Sequence, residues 1–363
     1  MESDDPASSG EAAGPTPGPS SRGRLSAGRR ALLGVGVLLV VLLVASVVGA
    51  RIVSDRILGD VQRIPGVFTP LDEGSRPKKP AGTEGTLNFL LVGIDTRAGE
   101  QTTGSEGNGE IFLPGGQRSD AIMVVHLSAD RRSAWVVSIP RDSWVPVPGH
   151  GEAKINAAYS LGGPPLLVQT VERLTELRID HFGVVDFAGF KSVVDAVGGI
   201  DVRVARRTGD GRGSFEAGVN HLGGDAALAY VRQRYNLPDG DLDRVRRQQN
   251  VIKALMTKAG SLGLLSSPTR AFAVADSLSH AVSVDDSLDD GELRSLALSL
   301  RNLKPAGVEF LTAPTSGLGR EGAQSVVRLH PVRFPALWQA VGAGDIGPYV
   351  RAHPQDTLGS NPR

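Results

Sequence analysis

The stretch NFLLVGID, residues 88–95, is an apolar run of strand length that ends in an acidic residue. Two further runs of the same kind follow it, AIMVVHLS at residues 121–128 and SAWVVSI at residues 133–139. Short apolar runs that are rich in β-branched residues and bounded by turn residues are typical of buried strands. These three stretches therefore predict the antiparallel start of a central sheet.

Charged residues gather at one predicted end of this sheet. The turn between the second and third strands is centred near Asp130, so antiparallel pairing brings Asp120 close to Arg141. Asp95 ends the first strand, and the chain returns from the following loop at Arg118. The group forms either a site or a set of ordinary polar residues at strand ends, and the sequence leaves both interpretations open.

After this start the chain alternates between helices and strands. Further strands are predicted at residues 181–187 and 200–204 and in the segments VEFLTAP and SVVRL, and further helices at residues 164–177, 190–197, 226–231, 288–300 and 334–341. Such alternation after an antiparallel start predicts an α/β protein. The expected fold is a mixed, mainly antiparallel central sheet covered by helices in an α-β-α sandwich.

A second charged stretch, LAYVRQRYNLPDGDLDRVRRQQ at residues 228–249, contains five arginines and three aspartates. Pro238 and Gly240 break the chain, and Asp241 can cap a helix that runs towards Leu262. The stretch therefore predicts the end of one helix, a break, and a long helix that begins with charged residues.

The arginines of this stretch point to phosphate binding. Arg244 and Gln248 lie four residues apart and share one helix face, and Arg232 and Arg234 would point the same way if that segment were extended. Planar guanidinium groups suit phosphate oxygens. The alternative is a solvated helix surface on which the arginines pair with the nearby aspartates, and the stretch alone favours neither interpretation.

The N-terminal part of the chain has a different composition. Residues 1–30 predict a disordered cytoplasmic tail, and residues 31–50 carry no charge and are long enough to span a bilayer. A cleaved signal peptide normally has a shorter apolar core, of about 7–15 residues. The arginines before the span outnumber Arg51 and Arg56 after it, which predicts that all later residues lie outside the membrane.

Domain boundaries follow from the same composition. Residues 51–85 contain four prolines and predict an extended extracytoplasmic stalk. Residues 86–347 predict the globular domain, and residues 348–363 a flexible tail. The 363 residues include 39 basic and 39 acidic residues and no cysteine. No global field favours nucleic acid, and disulfides and cysteine-based zinc or nucleophile sites are excluded.

Six ordered blocks resemble the LytR-CpsA-Psr family of bacterial cell-envelope enzymes. They are NFLLVGIDTR, RSDAIMVVHL, VVSIPRD, KINAAYSLGG, VERLTELRIDHFGVVDFAGFKSVVDAVGGIDV and ALAYVRQRYNLPDGDLDRVRRQQ, and they span roughly residues 86–249. The resemblance implies a membrane-anchored, extracytoplasmic phosphotransferase. Such an enzyme moves a glycopolymer, such as teichoic acid or arabinogalactan, from a polyprenyl-pyrophosphate carrier to peptidoglycan through a phosphodiester.

Residue roles come with the resemblance. It implies that Asp95 and Asp120 bind Mg²⁺, with Mn²⁺ as the alternative ion. It implies that Arg118 lies beside these acids and that the arginines around the pyrophosphate are Arg141, Arg232, Arg234 and Arg244. Gln248 matches a polar residue on the same face, and all six are the expected catalytic residues. This sequence departs from the family in one place, because residues 99–117 form a long insertion between the two acids.

Other functions use the same residues. A polyprenyl-pyrophosphate pyrophosphatase would need the same cation and arginines, with water as the acceptor. A non-enzymatic envelope regulator would bind the lipid-linked precursor without turnover. A nucleic-acid partner is not expected, because the arginines are predicted to lie outside the membrane and no recognition-helix motif is present.

Overall fold

A computed structural model describes residues 60–96, 102–103, 112, 117–210, 213–233, 237, 240–261 and 268–359. Among these residues, no helix combines the length and the apolar character that a bilayer span requires. The predicted tail at residues 1–30 and the predicted span at residues 31–50 lie outside the described residues.

Seven strands form the central sheet. They are β1 (Gln62–Ile64), β2 (Leu87–Thr96), β3 (Gln117–Leu127), β4 (Ala134–Ser138), β7 (His181–Asp186), β12 (Val282–Asp285) and β13 (Val308–Thr312). Their order across the sheet is β1-β12-β7-β2-β3-β4-β13. The predicted antiparallel pairing of β2 with β3 and of β3 with β4 is confirmed.

The sheet is mixed, as predicted, but it is not mainly antiparallel. Within the described residues, β2 pairs parallel with β7, β4 with β13, and β1 with β12, so three of the six pairings are parallel. Parallel neighbours require a crossover connection. The long helical segments between β4 and β7, and between β7 and β13, supply these crossovers.

Eight helices are described. They are α1 (Ile155–Thr175), α2 (Phe187–Ala196), α3 (Gly224–Arg232), α4 (Asp241–Ser261), α5 (Pro268–Ala281), α6 (Asp290–Ser299), α7 (Arg333–Gly342) and α8 (Gly347–Ala352). Helices α1 and α7 bury apolar residues against one face of the sheet, and α4 and α6 pack on the other face. This arrangement confirms a helix layer on each side of the sheet.

The first helix begins earlier than predicted. The sequence predicts a start at Pro164, but α1 begins at Ile155 and is kinked at Gly162 and Gly163, whose backbone angles are not helical. Gly163 has a φ of 64°, and a Cβ atom there would lie 2.9 Å from the Phe112 ring. Pro164 and Pro165 follow the kink and begin the second part of the helix. The sequence therefore predicted a helix start at this point and not at Ile155.

Four two-stranded antiparallel sheets are also present in the described part of the chain. They are β5 (Trp144–Val147) with β6 (Gly151–Lys154), β8 (Ile200–Val204) with β11 (Gly218–Leu222), β9 (Thr208–Asp210) with β10 (Gly213–Phe215), and β14 (Thr315–Glu321) with β15 (Gln324–Leu329). The β5–β6 hairpin lies directly between β4 and α1 in the chain and therefore flanks the sheet end where Arg141 lies.

The predicted stalk is in large part folded. From residue 60 onward it contributes strand β1 to the sheet and buries Val67 completely. The Arg76 side chain pairs with Glu172 at 2.7 Å, and both side chains are less than a tenth exposed. Proline content predicts an extended segment, but the apolar residues here have a sheet edge and helix α1 to cover, which local composition does not reveal.

The predicted flexible tail is also packed against the domain. Tyr349 of α8 is buried, and its hydroxyl donates to Asp356 at 2.8 Å. Asp356 also pairs with Arg333 at 2.9 Å, and the Leu358 amide donates to the Phe310 carbonyl of β13 at 2.8 Å. Residues 347–359 therefore belong to the folded domain because their polar groups find partners on α7 and β13.

His126 provides a prediction for pH. The side chain is buried on β3, its Nδ1 atom lies 2.7 Å from Asn88 Oδ1, and its ring stacks on Trp135. Burial lowers the pKa of His126 from 6.5 to about 4. The unfolded chain therefore binds a proton between those values that the folded chain excludes, so stability falls as pH drops from 6.5 towards 4. We expect a loss of about 3 kcal/mol from this residue, measured by urea unfolding. In His126→Gln the free energy of unfolding should depend less on pH between 6.5 and 4. The same pH dependence as in the wild type would contradict the role of His126.

Candidate active site

A β-bulge shapes the sheet end that the sequence singled out. The pairing of β2 with β3 shifts between Gly93 and Ile94, because Gly93 faces Ala121 whereas Ile94 faces Ser119. Asp120 is the extra residue and has no partner on β2 in this register. Bulges re-aim side chains and occur frequently beside active sites. The bulge therefore distinguishes Asp120 from an ordinary residue of the strand.

Asp120 forms an ion pair with Arg141, as the predicted strand register requires. Arg141 follows β4, and its guanidinium Nη1 donates to Asp120 Oδ1, with side-chain exposures of 12% and 15%. Arg141 Nε also lies 3.7 Å from Asp142, whose other oxygen is 3.0 Å from Lys154 Nζ. Acidic and basic side chains thus alternate in one partly buried series of ion pairs, which consists of Asp120, Arg141, Asp142 and Lys154.

Helix α4 contacts the same end of the sheet through two neighbouring glutamines. The Gln248 side chain donates to the backbone carbonyl of Asp120 at 3.4 Å. The next residue, Gln249, is buried and donates to Ser138 Oγ at 2.9 Å and to the Leu311 carbonyl at 2.7 Å. The paired glutamines hold the start of α4 against β3, β4 and β13.

Arg244 lies one helical turn before Gln248 on the same face of α4, as predicted. It is 3% exposed and forms an ion pair with Asp241, three residues earlier. Arg246 pairs with Asp243 at 2.9 Å and is 32% exposed. The pairing with neighbouring aspartates that the alternative interpretation predicts is therefore present, but Arg244 is buried and not on a solvated surface.

Arg247 makes its contacts inside the protein and has a structural role. It is completely buried and donates to Gln233 Oε1 and to Thr208 Oγ1, each at 2.6 Å. Its guanidinium lies 4.4 Å from the centre of the Tyr230 ring. Burial lowers the pKa of Arg247, and Tyr230 and two nearby carboxylates oppose that effect. This arginine joins α4 to α3 and is not directed at the Asp120 centre.

Those of the other predicted residues that the structure describes lie at the same end of the sheet. Asp95 and Arg118 are direct backbone partners on β2 and β3. Arg232 ends α3 in helical conformation, and its guanidinium lies 4.5 Å from the ring centre of Phe187. The extended 232–234 segment considered from sequence is thus not formed at Arg232, and Arg234 lies outside the described residues.

The residues at this end fit the predicted cation by donor chemistry. Among the described contacts, Arg141 occupies only Oδ1 of Asp120, which leaves Oδ2 for a further ligand. Mg²⁺ binds proteins through one or two carboxylates and completes its shell with water and substrate phosphate. Asp95 and Asp120 would supply such a pair. No cluster of three or more acidic or histidine ligands occurs in the described part of the chain.

Sequence reasoning missed Asp186. This buried carboxylate caps α2 by accepting from the Gly189 amide at 2.8 Å, and it accepts from the amides of Thr102 and Thr103 at 2.7 and 3.1 Å. Asp186 is also the backbone partner of Ile94, the neighbour of Asp95. It therefore anchors the start of the insertion beside the site. Its place directly before the helix FAGF is a capping signal that the sequence contained.

Comparison with known proteins shows what this arrangement resembles. The model of the LytR_cpsA_psr family matches residues 70–332. The probable cell wall biosynthesis protein LcpB of Corynebacterium glutamicum is 38% identical over 265 residues, which cover 72% of this chain and 60% of LcpB. The chain therefore spans about three fifths of the length of that relative.

Two more proteins extend the comparison. The polyisoprenyl-teichoic acid–peptidoglycan teichoic acid transferase TagU of Oceanobacillus iheyensis is 34% identical over 296 residues, 78% of this chain and 84% of TagU. The crystal structure of B. subtilis TagV superimposes with a TM-score of 0.57 at 28% identity and covers 71% of this chain and 96% of TagV.

Proposed function

The chain belongs to the LytR-CpsA-Psr family, and from this premise we propose that it transfers a glycopolymer from a polyprenyl-pyrophosphate carrier to peptidoglycan. The similarity to TagU of Oceanobacillus iheyensis, a teichoic acid transferase, supports the reaction class. In the proposed reaction an acceptor hydroxyl oxygen bonds to the phosphorus that carries the glycan, and its proton is released. The bond to the second phosphate breaks, and polyprenyl phosphate leaves. We propose that residues 31–50 anchor the domain to the outer face of the membrane.

The observation that supports the proposal is an apolar strip at the centre of the sheet, formed by the exposed Leu91 with the small residues Gly93 and Gly183 beside it. Leu91 lies on β2, the fourth of seven strands, yet it is 40% exposed. Side chains alternate along a strand, so the positions of Leu91 and Gly93 share one face of the sheet. Helix α4 covers the neighbouring part of this face with Ile252 and Met256. A lipid tail beside α4 and a pyrophosphate at Asp120 would fit one continuous trough.

Small residues keep this trough open. Gly93 pairs with Ala121 on one side, and Gly183 lies beside Leu91 on the other. A Cβ atom at Gly183 would lie 3.0 Å from the Leu91 side chain, and one at Gly93 would lie 3.2 Å from Ala121. The missing side chains leave apolar surface uncovered at the centre of the sheet, where soluble proteins normally bury it.

The chain's own charged groups have distinct tasks in this proposal. Arg141 and Arg244 would hold pyrophosphate oxygens through charge-assisted bonds in a partly buried setting. Asp120 and Asp241 compensate these guanidinium charges before substrate arrives. A bound Mg²⁺ would supply positive charge that neutralises the phosphate oxygens. Phosphoryl transfer depends mainly on such positioning and charge stabilisation, so a protein nucleophile is not required.

The decisive experiment separates three outcomes. The full-length protein in nanodiscs is incubated with a lipid-linked glycopolymer and isolated peptidoglycan, and the linkage is analysed. Phosphodiester-linked glycan on peptidoglycan supports the transferase. Release of glycan phosphate into water alone would favour a pyrophosphatase, and lipid binding without turnover would favour a regulator.

Arg244→Lys tests the pyrophosphate contact. We expect the affinity for the lipid pyrophosphate to fall about tenfold or more, because an ammonium group cannot form the planar fork. Binding is measured by calorimetry, with melting temperature followed in parallel. Arg246→Lys is the matched control, since Arg246 is the more exposed arginine and a lysine can still pair with Asp243. Equal, near-wild-type affinity in both variants would leave only a structural role for Arg244.

Leu91→Asp tests the lipid strip. We expect the KM for a long-chain lipid donor to rise about tenfold or more, because a charge replaces apolar contact with the tail. A short-chain, water-soluble donor should be used as well as by the wild type. Leu318→Asp, at a 68% exposed position on β14, is the control and should change neither value. An equal loss with both donors would argue against the strip as the tail site.

A further inference from the structure

Tryptophan is rare in this chain, and its three copies have different surroundings. Trp135 is buried and stacks on His126 at 4.9 Å, and Trp338 is buried and meets Phe334 edge-on at 5.9 Å. Trp144 is only half-buried, and no ring contact or hydrogen bond of its side chain is found within the described residues. A large aromatic ring that stays partly exposed and stacks on no other ring in the described part of the chain needs a reason.

The strand that carries Trp144 directs it away from the core. Val145 and Val147 of β5 are buried in the core beside α1. Because strand side chains alternate, Trp144 lies on the opposite face, which is the outer face of the hairpin. Its backbone partner on β6 is Lys154, and paired residues place their side chains on the same face.

This outer face adjoins the charged centre. Lys154 Nζ lies 3.0 Å from Asp142, Asp142 lies 3.7 Å from Arg141, and Arg141 is paired with Asp120. Trp144 thus flanks the group of charges proposed to hold pyrophosphate. The hairpin packs with the α1 side of the sheet, whereas the apolar strip at Leu91 lies on the side that α4 covers. The hairpin that carries Trp144 therefore borders the centre from the α1 side, opposite the strip proposed for the lipid donor.

We propose that Trp144 is a platform on which a pyranose ring of the acceptor glycan stacks. The inference rests on the proposed function, because it identifies the partner on this side as the peptidoglycan glycan strand. The C–H groups of an N-acetylhexosamine ring form an apolar face that suits the indole plane. The indole N–H and the Lys154 ammonium are donors for its hydroxyl and acetamido oxygens. Such a contact would hold the acceptor hydroxyl beside Arg141 and Asp120 without touching the reacting phosphate.

A purely structural role predicts different behaviour. If Trp144 only covers the hairpin where Ser143 bridges to Val327, its removal lowers the melting temperature and leaves substrate selection unchanged. A specificity role changes acceptor use and leaves donor use intact. A specificity role therefore predicts a change in the KM for the acceptor, whereas a structural role predicts a change in neither the KM for the acceptor nor the KM for the donor.

The first measurement needs no lipid donor. A short soluble oligosaccharide of β-1,4-linked N-acetylglucosamine is titrated into the full-length protein, and tryptophan fluorescence and heat are recorded. We expect saturable binding with a fluorescence change, because Trp144 is the least buried tryptophan. Trp144→Phe should lose the fluorescence change but keep binding by calorimetry, and Trp144→Ala should bind about tenfold more weakly.

The second measurement uses transfer. Trp144→Ala is expected to raise the KM for the acceptor about tenfold and to leave the KM for the lipid donor unchanged, whereas Trp144→Phe restores most of the loss. Absent binding of the oligosaccharide by the wild type, or equal binding by Trp144→Ala, overturns the inference even if transfer occurs. Binding that depends on Trp144 supports it even if no transfer to peptidoglycan is found, in which case the proposed function fails alone.

Discussion

Asp120→Asn is expected to lower kcat for glycopolymer transfer by about 10²–10³-fold, the usual effect of removing one electrostatic group from a reaction centre. Asparagine keeps the shape of the side chain but loses the charge that balances Arg141 and would bind the cation. The bulge itself should survive, because Gln248 bonds the backbone carbonyl of Asp120 and not its carboxylate. Melting temperature should therefore change little while turnover is lost.

Two further measurements define the role of Asp120. Calorimetry with Mn²⁺ should show weaker binding in the variant, independent of any activity. In a double-variant cycle with Arg141→Gln, losses that do not add would mean that the two residues act as one unit. Asp356→Asn is the control, because Asp356 also pairs with a partly buried arginine but lies at the C-terminal end of the domain. Near-wild-type turnover in Asp120→Asn would refute the assignment of the site.

Arg247→Met is expected to lower the free energy of unfolding by about 3–5 kcal/mol, the typical cost of breaking a buried charged network by removing one partner. The substitution leaves Gln233 and Thr208 without the donor that each now meets at 2.6 Å. It also removes the cation that lies over Tyr230. Urea unfolding measures the loss directly.

The control for Arg247 is its neighbour. Arg246→Lys keeps a charge near Asp243 at a partly exposed position and should change the free energy of unfolding by no more than about 1 kcal/mol. At low temperature, where the Arg247→Met variant is still folded, KM and kcat should match the wild type. A large change in KM for the lipid donor without loss of stability would show that Arg247 belongs to the binding site.

Much of the framework follows from the sequence alone. The three apolar runs at residues 88–95, 121–128 and 133–139 correspond to β2, β3 and β4, and counting back from the turn near Asp130 correctly pairs Asp120 with Arg141. The long helix predicted from Asp241 is α4, which ends at Ser261. These features depend on short-range periodicity and turn chemistry, which neighbouring residues determine.

Tertiary structure decided the rest, because each remaining feature depends on a partner distant in sequence. The bulge at Asp120 arises from its register against β2, and Leu91 is 40% exposed although it lies on the fourth of seven strands. Ile64 and Val67 are buried by a sheet edge and a helix whose residues come much later in the chain. The arginines of α4 are chemically identical, and only packing separates Arg247, which is completely buried against Tyr230, from Arg246, which stays partly exposed beside Asp243. Burial is a property of the surroundings that side chains meet after folding, so local sequence could name these residues but not assign their environments.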